Sequence, residues 1–253
     1  MLEQKFAPVV AELEIWRDRA LTLPLWWRDD DATAPSPALE RLLALASSFE
    51  APLHLAVVPF WAQPALAQRM QEAEQVFAIP HGWRHENHAP PTEKKAEFGA
   101  HRPVAVMLAE VQRGWQRIEA LFGPLALPVF APPWNRACPA VVDRLVDCGL
   151  TALSAFQPRR QRFAAPNVLQ VNTHLDPISW RGGGVLIEPE ALADIIADHL
   201  RARRQTRADN LEPYGLLTHH LVHDEPSWTL IARLIEIFMR SGVARWTSPI
   251  EDS

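Results

Sequence analysis

Val76-Phe77-Ala78-Ile79-Pro80-His81-Gly82-Trp83-Arg84-His85 joins an apolar run of strand length to an H-x₃-H pair. A short apolar run that stops in glycine and polar groups reads as a buried β-strand presenting its chemistry at its C-terminal end. Leu23 to Trp27 repeats the arrangement, a tryptophan-rich apolar run that ends in Arg28-Asp29-Asp30-Asp31. Two imidazoles four residues apart lie on one side of a turn. With a carboxylate from a neighbouring strand end they make a facial triad, which leaves positions open on a divalent metal for water and substrate.

Working outward, further strand-length runs occur at Leu53 to Val58, Leu127 to Ala131, Leu150 to Phe156, Val168 to Asn172, Tyr214 to Thr218 and Val243 to Trp246. The segments Pro37 to Glu50, Gln63 to Glu74, Val104 to Phe122, Pro139 to Cys148, Pro189 to Arg204 and Pro226 to Ser241 carry helical periodicity. Ser36-Pro37 and Glu188-Pro189 suit the first turns of helices. This alternation predicts an α/β fold with a parallel sheet. Asp29 to Asp31, His81, Asn135-Arg136, His174-Leu175-Asp176 and His219-His220 each follow an apolar run. Ends of that many strands converge on one face in a (β/α) barrel, whereas an open doubly wound sheet gathers only those at its switch point. The longest irregular stretch, Glu86 to Pro103, stands beside the histidine pair; it reads either as a lid or as a solvated loop.

Composition narrows the class. With 253 residues, 48% of them hydrophobic, the chain reads as one domain over residues 1–253 with a substantial core. The net charge of −5 and scattered basic residues leave no footprint for nucleic acid. The one basic cluster, Arg201-Ala202-Arg203-Arg204, fits a helix C-terminus favoured by the macrodipole. Cys138 and Cys148 read as packed thiols. The stretch Met1 to Pro8 has an acid where a signal peptide needs basic residues, and no stretch approaches the ~20 apolar residues of a membrane span. The expectation is a soluble, cytoplasmic protein with no membrane partner.

Three adjacent carboxylates repel one another and, without a cation, belong in a solvated turn. At the end of a buried strand, alternation lets one acid ligate a metal while another takes a proton from water. His81 and His85 are the candidate ligands; His88 either continues their face or is loop polarity. Ala131-Pro132-Pro133-Trp134-Asn135-Arg136 places rigid prolines and an aromatic at a strand end, making Pro133, Trp134, Asn135 and Arg136 candidate site walls. Leu216 to Asp224 holds three histidines in five residues. A histidine there, oriented by a carboxylate such as Asp176, can protonate a leaving amine.

Taken in order, these residues resemble the five motifs of the polysaccharide deacetylase superfamily, the NodB-homology or carbohydrate esterase family 4 fold. Asp30-Asp31 resembles its first motif, with Ala32 where the family usually has glycine. His81 and His85 match the second. Ala131-Pro132-Pro133-Trp134 is similar to the third, with alanine in the arginine's place and Arg28 or Arg136 as the nearest stand-in by sequence. Asp176 with Trp180, at wider spacing, resembles the fourth, and Leu217-Thr218-His219 the fifth.

The resemblance spans residues 25–224 and implies a distorted (β/α)7 barrel that catalyses hydrolytic deacetylation. It implies Asp30 as general base, Asp31, His81 and His85 as ligands of a divalent metal, with Zn2+ expected, and His219 as general acid tuned by Asp176. Asp29 leaves the register of the first motif open, since Asp29-Asp30 can take the place of Asp30-Asp31. Trp83, Trp134 and Trp180 stand beside the motifs, either to stack on a sugar ring or to pack in the core. Without an export signal, a small or oligomeric N-acetylated sugar fits better than a wall polymer. The alternatives are an amidohydrolase of the same fold acting on a non-sugar C–N bond of ureide type, and a non-catalytic metal- or sugar-binding barrel.

Overall fold

The computed structural model describes residues 2–180 and 183–250; Met1, the first residue of the N-terminal stretch read above, lies outside them. The chain opens with helices α1 (Leu2–Lys5) and α2 (Ala7–Asp18) and continues through β1 (Leu23–Ala32), α3 (Pro37–Ser48), β2 (Leu53–Val57), α4 (Pro64–Gln71), β3 (Val76–Pro80) and α5 (Val104–Phe122). Next come β4 (Val129–Phe130), α6 (Pro139–Val142), β5 (Ala152–Leu153), β6 (Phe163–Ala165), β7 (Val168–Gln170), β8 (Thr173–Leu175), β9 (Ile178–Ser179) and β10 (Val185–Leu186). The described chain ends with α7 (Pro189–Arg204), β11 (Tyr214–Thr218), α8 (Glu225–Arg240) and β12 (Ala244–Trp246). Helix α3 starts where Ser36 Oγ accepts the Leu39 N–H at 3.1 Å with Pro37 in its first turn, a side-chain N-cap.

Two sheets form a distorted barrel. One runs β3-β2-β1-β11-β8, all parallel, with β12 paired to the start of β1; the other runs β4-β5-β7-β6. They meet at β3 and β4 through the bridges Ala78–Ala126 and His81–Ala131, and again through Phe156–Thr173. Among the described residues, β1, β2, β3, β4, β5, the continuous pair β7–β8, and β11 thus make seven staves. Isolated bridges in place of full ladders are the distortion.

Side-chain alternation divides β1 between two cores. Leu25 and Trp27 pack outward against the helices, with Leu39, Leu42, Ile231 and Leu234. Trp26 points inward among Ala56, Ile79, Val129, Ala131, Ala152, Leu169 and Val171. The alanines make room for the indole, whose Nε1–H donates to the Asn172 carbonyl at 3.0 Å.

One expectation is corrected here, one is extended, and one further element appears. The run Val168 to Asn172 does not end at the active face: the chain re-enters the sheet as β8, and His174 lies inside that strand. There its Nδ1 accepts the Gly215 N–H and its Nε2 faces Glu212 Oε2 at 3.0 Å. The cluster Arg201 to Arg204 does end α7, yet Arg203 is buried and donates to the Glu212 carbonyl while Arg204 pairs with Glu12 of α2. Helix α2, built on buried Val9, Leu13 and Trp16, occupies a stretch for which no element was expected. Cys138 and Cys148 are buried free thiols, and no helix among the described residues is long and apolar enough to cross a membrane.

His54 stands between Trp26 and Phe77 inside the barrel, its Nδ1–H donating to the Trp27 carbonyl at 3.0 Å. Burial pushes its pKa down to about 4. The unfolded chain therefore takes up a proton near pH 6.5 that the folded protein refuses until about pH 4, so stability is full above pH 6.5 and is lost as pH falls through that window. At about 1.4 kcal/mol per pKa unit the loss is on the order of 3 kcal/mol. Urea midpoints at pH 7 and pH 5 test this: His54→Asn should show a smaller drop between the two than the wild type.

Candidate active site

On β1, Arg28 and Asp30 share the inward face and Asp29 the outward one. Simple alternation would send Asp31 outward as well. Instead the register against β2 slips between Asp30 and Ala32, and Asp31 takes a left-handed φ of 75°, which aspartate tolerates better than most residues. The bulge turns its carboxylate inward. Asp31 Oδ1 lies 3.3 Å from His81 Nε2 and 3.2 Å from His85 Nε2.

The histidines reach that oxygen by different routes. His81 is buried at the β3–β4 seam, where its Nδ1 lies 2.9 Å from the Ala131 carbonyl. A carbonyl can only accept, so Nδ1 carries the hydrogen and the lone pair of Nε2 faces Asp31. His85 follows a tight turn through Gly82, whose φ is 65° and whose missing side chain leaves no space: a Cβ would sit 2.2 Å from Glu97 Oε2 and 2.5 Å from Pro133 Cδ. His85 itself has φ 58°, and its ring leans on Trp134 at 4.4 Å. Left-handed residues cost on the order of 1–3 kcal/mol each and persist where surrounding structure over-determines them. Here Asp31, His85, Trp134 and Asn135 all adopt such a φ around one point.

The donor set fits a divalent cation. Asp31, His81 and His85 each offer one ligand atom, all within 4.8 Å of one another. A carboxylate lone pair facing two imidazole nitrogens is repulsive unless a proton or a metal lies among them, and Asp31 Oδ1 has no hydrogen-bond partner. The electrostatics of the site make the same demand for positive charge. Burial raises the Asp31 carboxyl, but the close His81 imidazole and its charge, aided by His85 and His219, hold it well below the usual carboxylate range. Burial lowers His81, yet Asp30 and Asp31 more than offset it and its pKa rises.

Glu97, from the loop expected to be a lid or a solvated loop, is buried and anchors this turn. Its Oε1 accepts the Arg84 N–H at 2.7 Å and its Oε2 the Trp83 N–H at 3.2 Å, while burial keeps its pKa raised. Glu97→Gln places an NH₂ donor against one of those N–H groups. Calorimetric titration with zinc should find affinity weakened by about 10- to 100-fold in the folded variant, the usual cost of losing an outer-shell partner.

Asp30 is held differently. Arg28, fully buried, sets its Nε 2.8 Å from Asp30 Oδ1 and donates from Nη2 to Asp30 Oδ2 at 3.0 Å. Its remaining hydrogens go to the Ser154 carbonyl and Oγ, at 3.0 and 2.7 Å, and to Asn135 Oδ1 at 2.6 Å. Arg28 thus braces Asp30, whereas position 131 holds an alanine. Arg136, the other stand-in, donates to the Lys95 carbonyl instead. Asp30 Oδ2 remains 4.0 Å from His81 Nε2 and 3.9 Å from His219 Nε2. On the far side, His219 Nδ1 is 4.0 Å from Asp176 Oδ2, which accepts the Trp180 Nε1–H at 2.8 Å. Burial raises the Asp176 carboxyl, partly countered by His219.

The site thus gathers Asp30, Asp31, His81, His85, Asp176 and His219. Trp134 lies against His85 and half-exposed Trp180 against His219 at 4.6 Å. Four expected members have other places. Asn135 is a partner of Arg28, Pro133 is buried behind Gly82, Arg136 braces the loop backbone, and Trp83 packs on Phe60 beneath Arg113. His88 makes a backbone bond to Ala96 and stays out of the donor trio.

A scan against protein-family models and a comparison with curated proteins find no match. Solved structures do match. A family 4 carbohydrate esterase from Streptomyces lividans, in complex with acetate, is 17% identical at a TM-score of 0.56, covering 91% of this chain and 95% of that one. The chain has the carbohydrate esterase family 4 fold. A family 4 acetyl xylan esterase from Clostridium thermocellum, in complex with a cobalt ion, is 15% identical at a TM-score of 0.51, covering 88% and 87%. A pseudoenzyme of the same family from Bacillus anthracis is 15% identical at a TM-score of 0.56, covering 89% and 63%.

Proposed function

We propose that this carbohydrate esterase family 4-like chain is a metal-dependent hydrolase that removes an N-acetyl group from a carbohydrate or sugar derivative. The observation that carries the reading is the Asp31–His81–His85 trio beside a second carboxylate, Asp30, that is braced by arginine and faces a histidine. Asp31, His81 and His85 would hold a divalent cation, which would supply Lewis acidity and lower the pKa of bound water toward ~7. The cobalt ion in the Clostridium esterase supports a divalent ion of this kind, and zinc suits the two-nitrogen, one-oxygen donors.

The chain's own groups then divide the proton transfers. Arg28 fixes both oxygens of Asp30 yet leaves Oδ2 a lone pair toward the site, so Asp30 takes a proton from the attacking water. His219 gives a proton from Nε2 to the departing nitrogen as the C–N bond breaks, and Asp176 stabilises the imidazolium at Nδ1 before that transfer. The products are acetate and a free amine. Trp134 and Trp180, against opposite histidines, offer aromatic faces to a sugar ring, which favours the sugar over a ureide.

Protein purified without added metal and then titrated with zinc should bind about one ion per chain, three protein ligands with open positions being a catalytic set. The loaded protein should release acetate from N-acetylglucosamine oligomers, and dialysis against chelator should abolish the release. Ureide consumption without acetate would transfer the reading to a non-sugar amidohydrolase. Zinc binding without turnover of either would make the chain a binding barrel, as the Bacillus pseudoenzyme's designation illustrates for that protein.

A further inference from the structure

Asp29 takes no part in that chemistry, yet it is fully buried and receives more donors than either neighbouring acid. It faces outward from the barrel. Its Oδ2 accepts the Thr218 hydroxyl at 2.6 Å and the His220 backbone N–H at 3.0 Å, while its Oδ1 pairs with His220 Nδ1. The Thr218 hydroxyl in turn accepts the Trp27 Nε1–H at 2.9 Å. Helix α3 covers the turn formed by His220 to Val222.

One carboxylate thereby grips the residues on both sides of His219. His219 is where the chain leaves β11 for that turn, with φ −140° and ψ 82°, and its side chain projects to the opposite side, toward Asp30 and Asp176. Burying a carboxylate costs several kcal/mol unless charge-assisted bonds repay it, so the end of a strand does not need one for packing alone. A group that must deliver a proton does need its neighbours fixed, because a 1 Å misplacement can cost about 10²-fold in rate.

We infer that Asp29 and His220 form a positioning pair that sets the reach of the His219 imidazole toward the departing nitrogen, an inference that rests on the proton-donor reading of His219. The test uses the zinc-loaded full chain with the variants Asp29→Asn, His220→Phe and His220→Asn. In His220→Asn the side-chain amide stands in for the Nδ1–H donor. Asp29→Asn and His220→Phe should lower kcat by about 10- to 100-fold with KM and zinc affinity held within about two-fold, and His220→Asn should recover most of the rate. The His219 ring signals in nitrogen-15 spectra should move in the first two variants and return in the third.

Unchanged kcat in folded Asp29→Asn and His220→Phe would overturn the inference, as would a His220→Asn protein as slow as His220→Phe. If Asp29→Asn fails to fold, the two His220 variants decide. If the wild type releases no acetate, the deacetylase reading fails by itself. The His219 signals then decide the positioning claim, which unmoved signals would sink.

Discussion

Asp30→Asn should lower kcat for acetate release by about 10² or more while leaving zinc affinity close to wild type, because general-base catalysis typically contributes 10²–10⁴-fold. The amide retains one oxygen for Arg28 to hold, so the side chain can keep its place, but it cannot take a proton from water. Asp30 contributes no atom to the donor trio, so metal binding should survive. KM should change little, since the lost interaction is made in the transition state and not in the bound ground state. Steady-state kinetics beside calorimetric zinc titration separates the two effects. Wild-type kcat in a zinc-loaded Asp30→Asn protein would remove Asp30 from the mechanism and with it the proposed division of proton transfers.

The same residue shows what the sequence made legible. Strand ends are readable because the apolar runs stop abruptly in polar groups; the alternation of runs with helical segments points to a parallel α/β sheet, and polar residues at the ends of five runs point to the barrel. Arg28 was one of two candidates for the missing arginine of the third motif. Two-residue periodicity already puts it on the same face as Asp30, and Arg136 was excluded only by its bond to the Lys95 carbonyl. The bulge at Asp31 was not readable. Three identical acids give no sign of which one turns, and strict alternation pairs Asp31 with Asp29, the reverse of what its φ of 75° produces. His174 misled for the opposite reason: its local pattern is that of a strand end, and the partners that bury it, Glu212 and Arg203, lie far along the chain. Glu97 is one acid in a long irregular stretch, and nothing local says that two amides of the His81–His85 turn are waiting for it. Helix α2 did carry a signal, since Val9, Leu13 and Trp16 follow a helical period and are buried together.

Arg28→Met should be the most destabilising single change at the site. Methionine matches the aliphatic stem, but it leaves the Asp30 carboxylate, which is 3% exposed, without its counter-charge, and it also strands the Ser154 and Asn135 acceptors. Breaking a buried ion pair by removing one partner costs about 3–5 kcal/mol. In a chain of this length that corresponds to a fall in Tm of roughly 10 °C, at about 2–4 °C per kcal/mol. Activity should fall too, since a carboxylate without its guanidinium is more easily protonated and is free to rotate away from the site. Arg28→Lys should keep most of the stability and still lose rate, because an ammonium cannot hold both oxygens in a fixed plane. Pairing Arg28→Met with Asp30→Asn isolates the cause. If the cost arises from an uncompensated buried charge, the same arginine change in the Asp30→Asn background should cost much less than in wild type, and urea denaturation of the four proteins measures the difference. An undiminished cost in that background would instead place the role of Arg28 in its bonds to Ser154 and Asn135, as a brace between β1 and the loops after β4 and β5 rather than as the partner that orients Asp30.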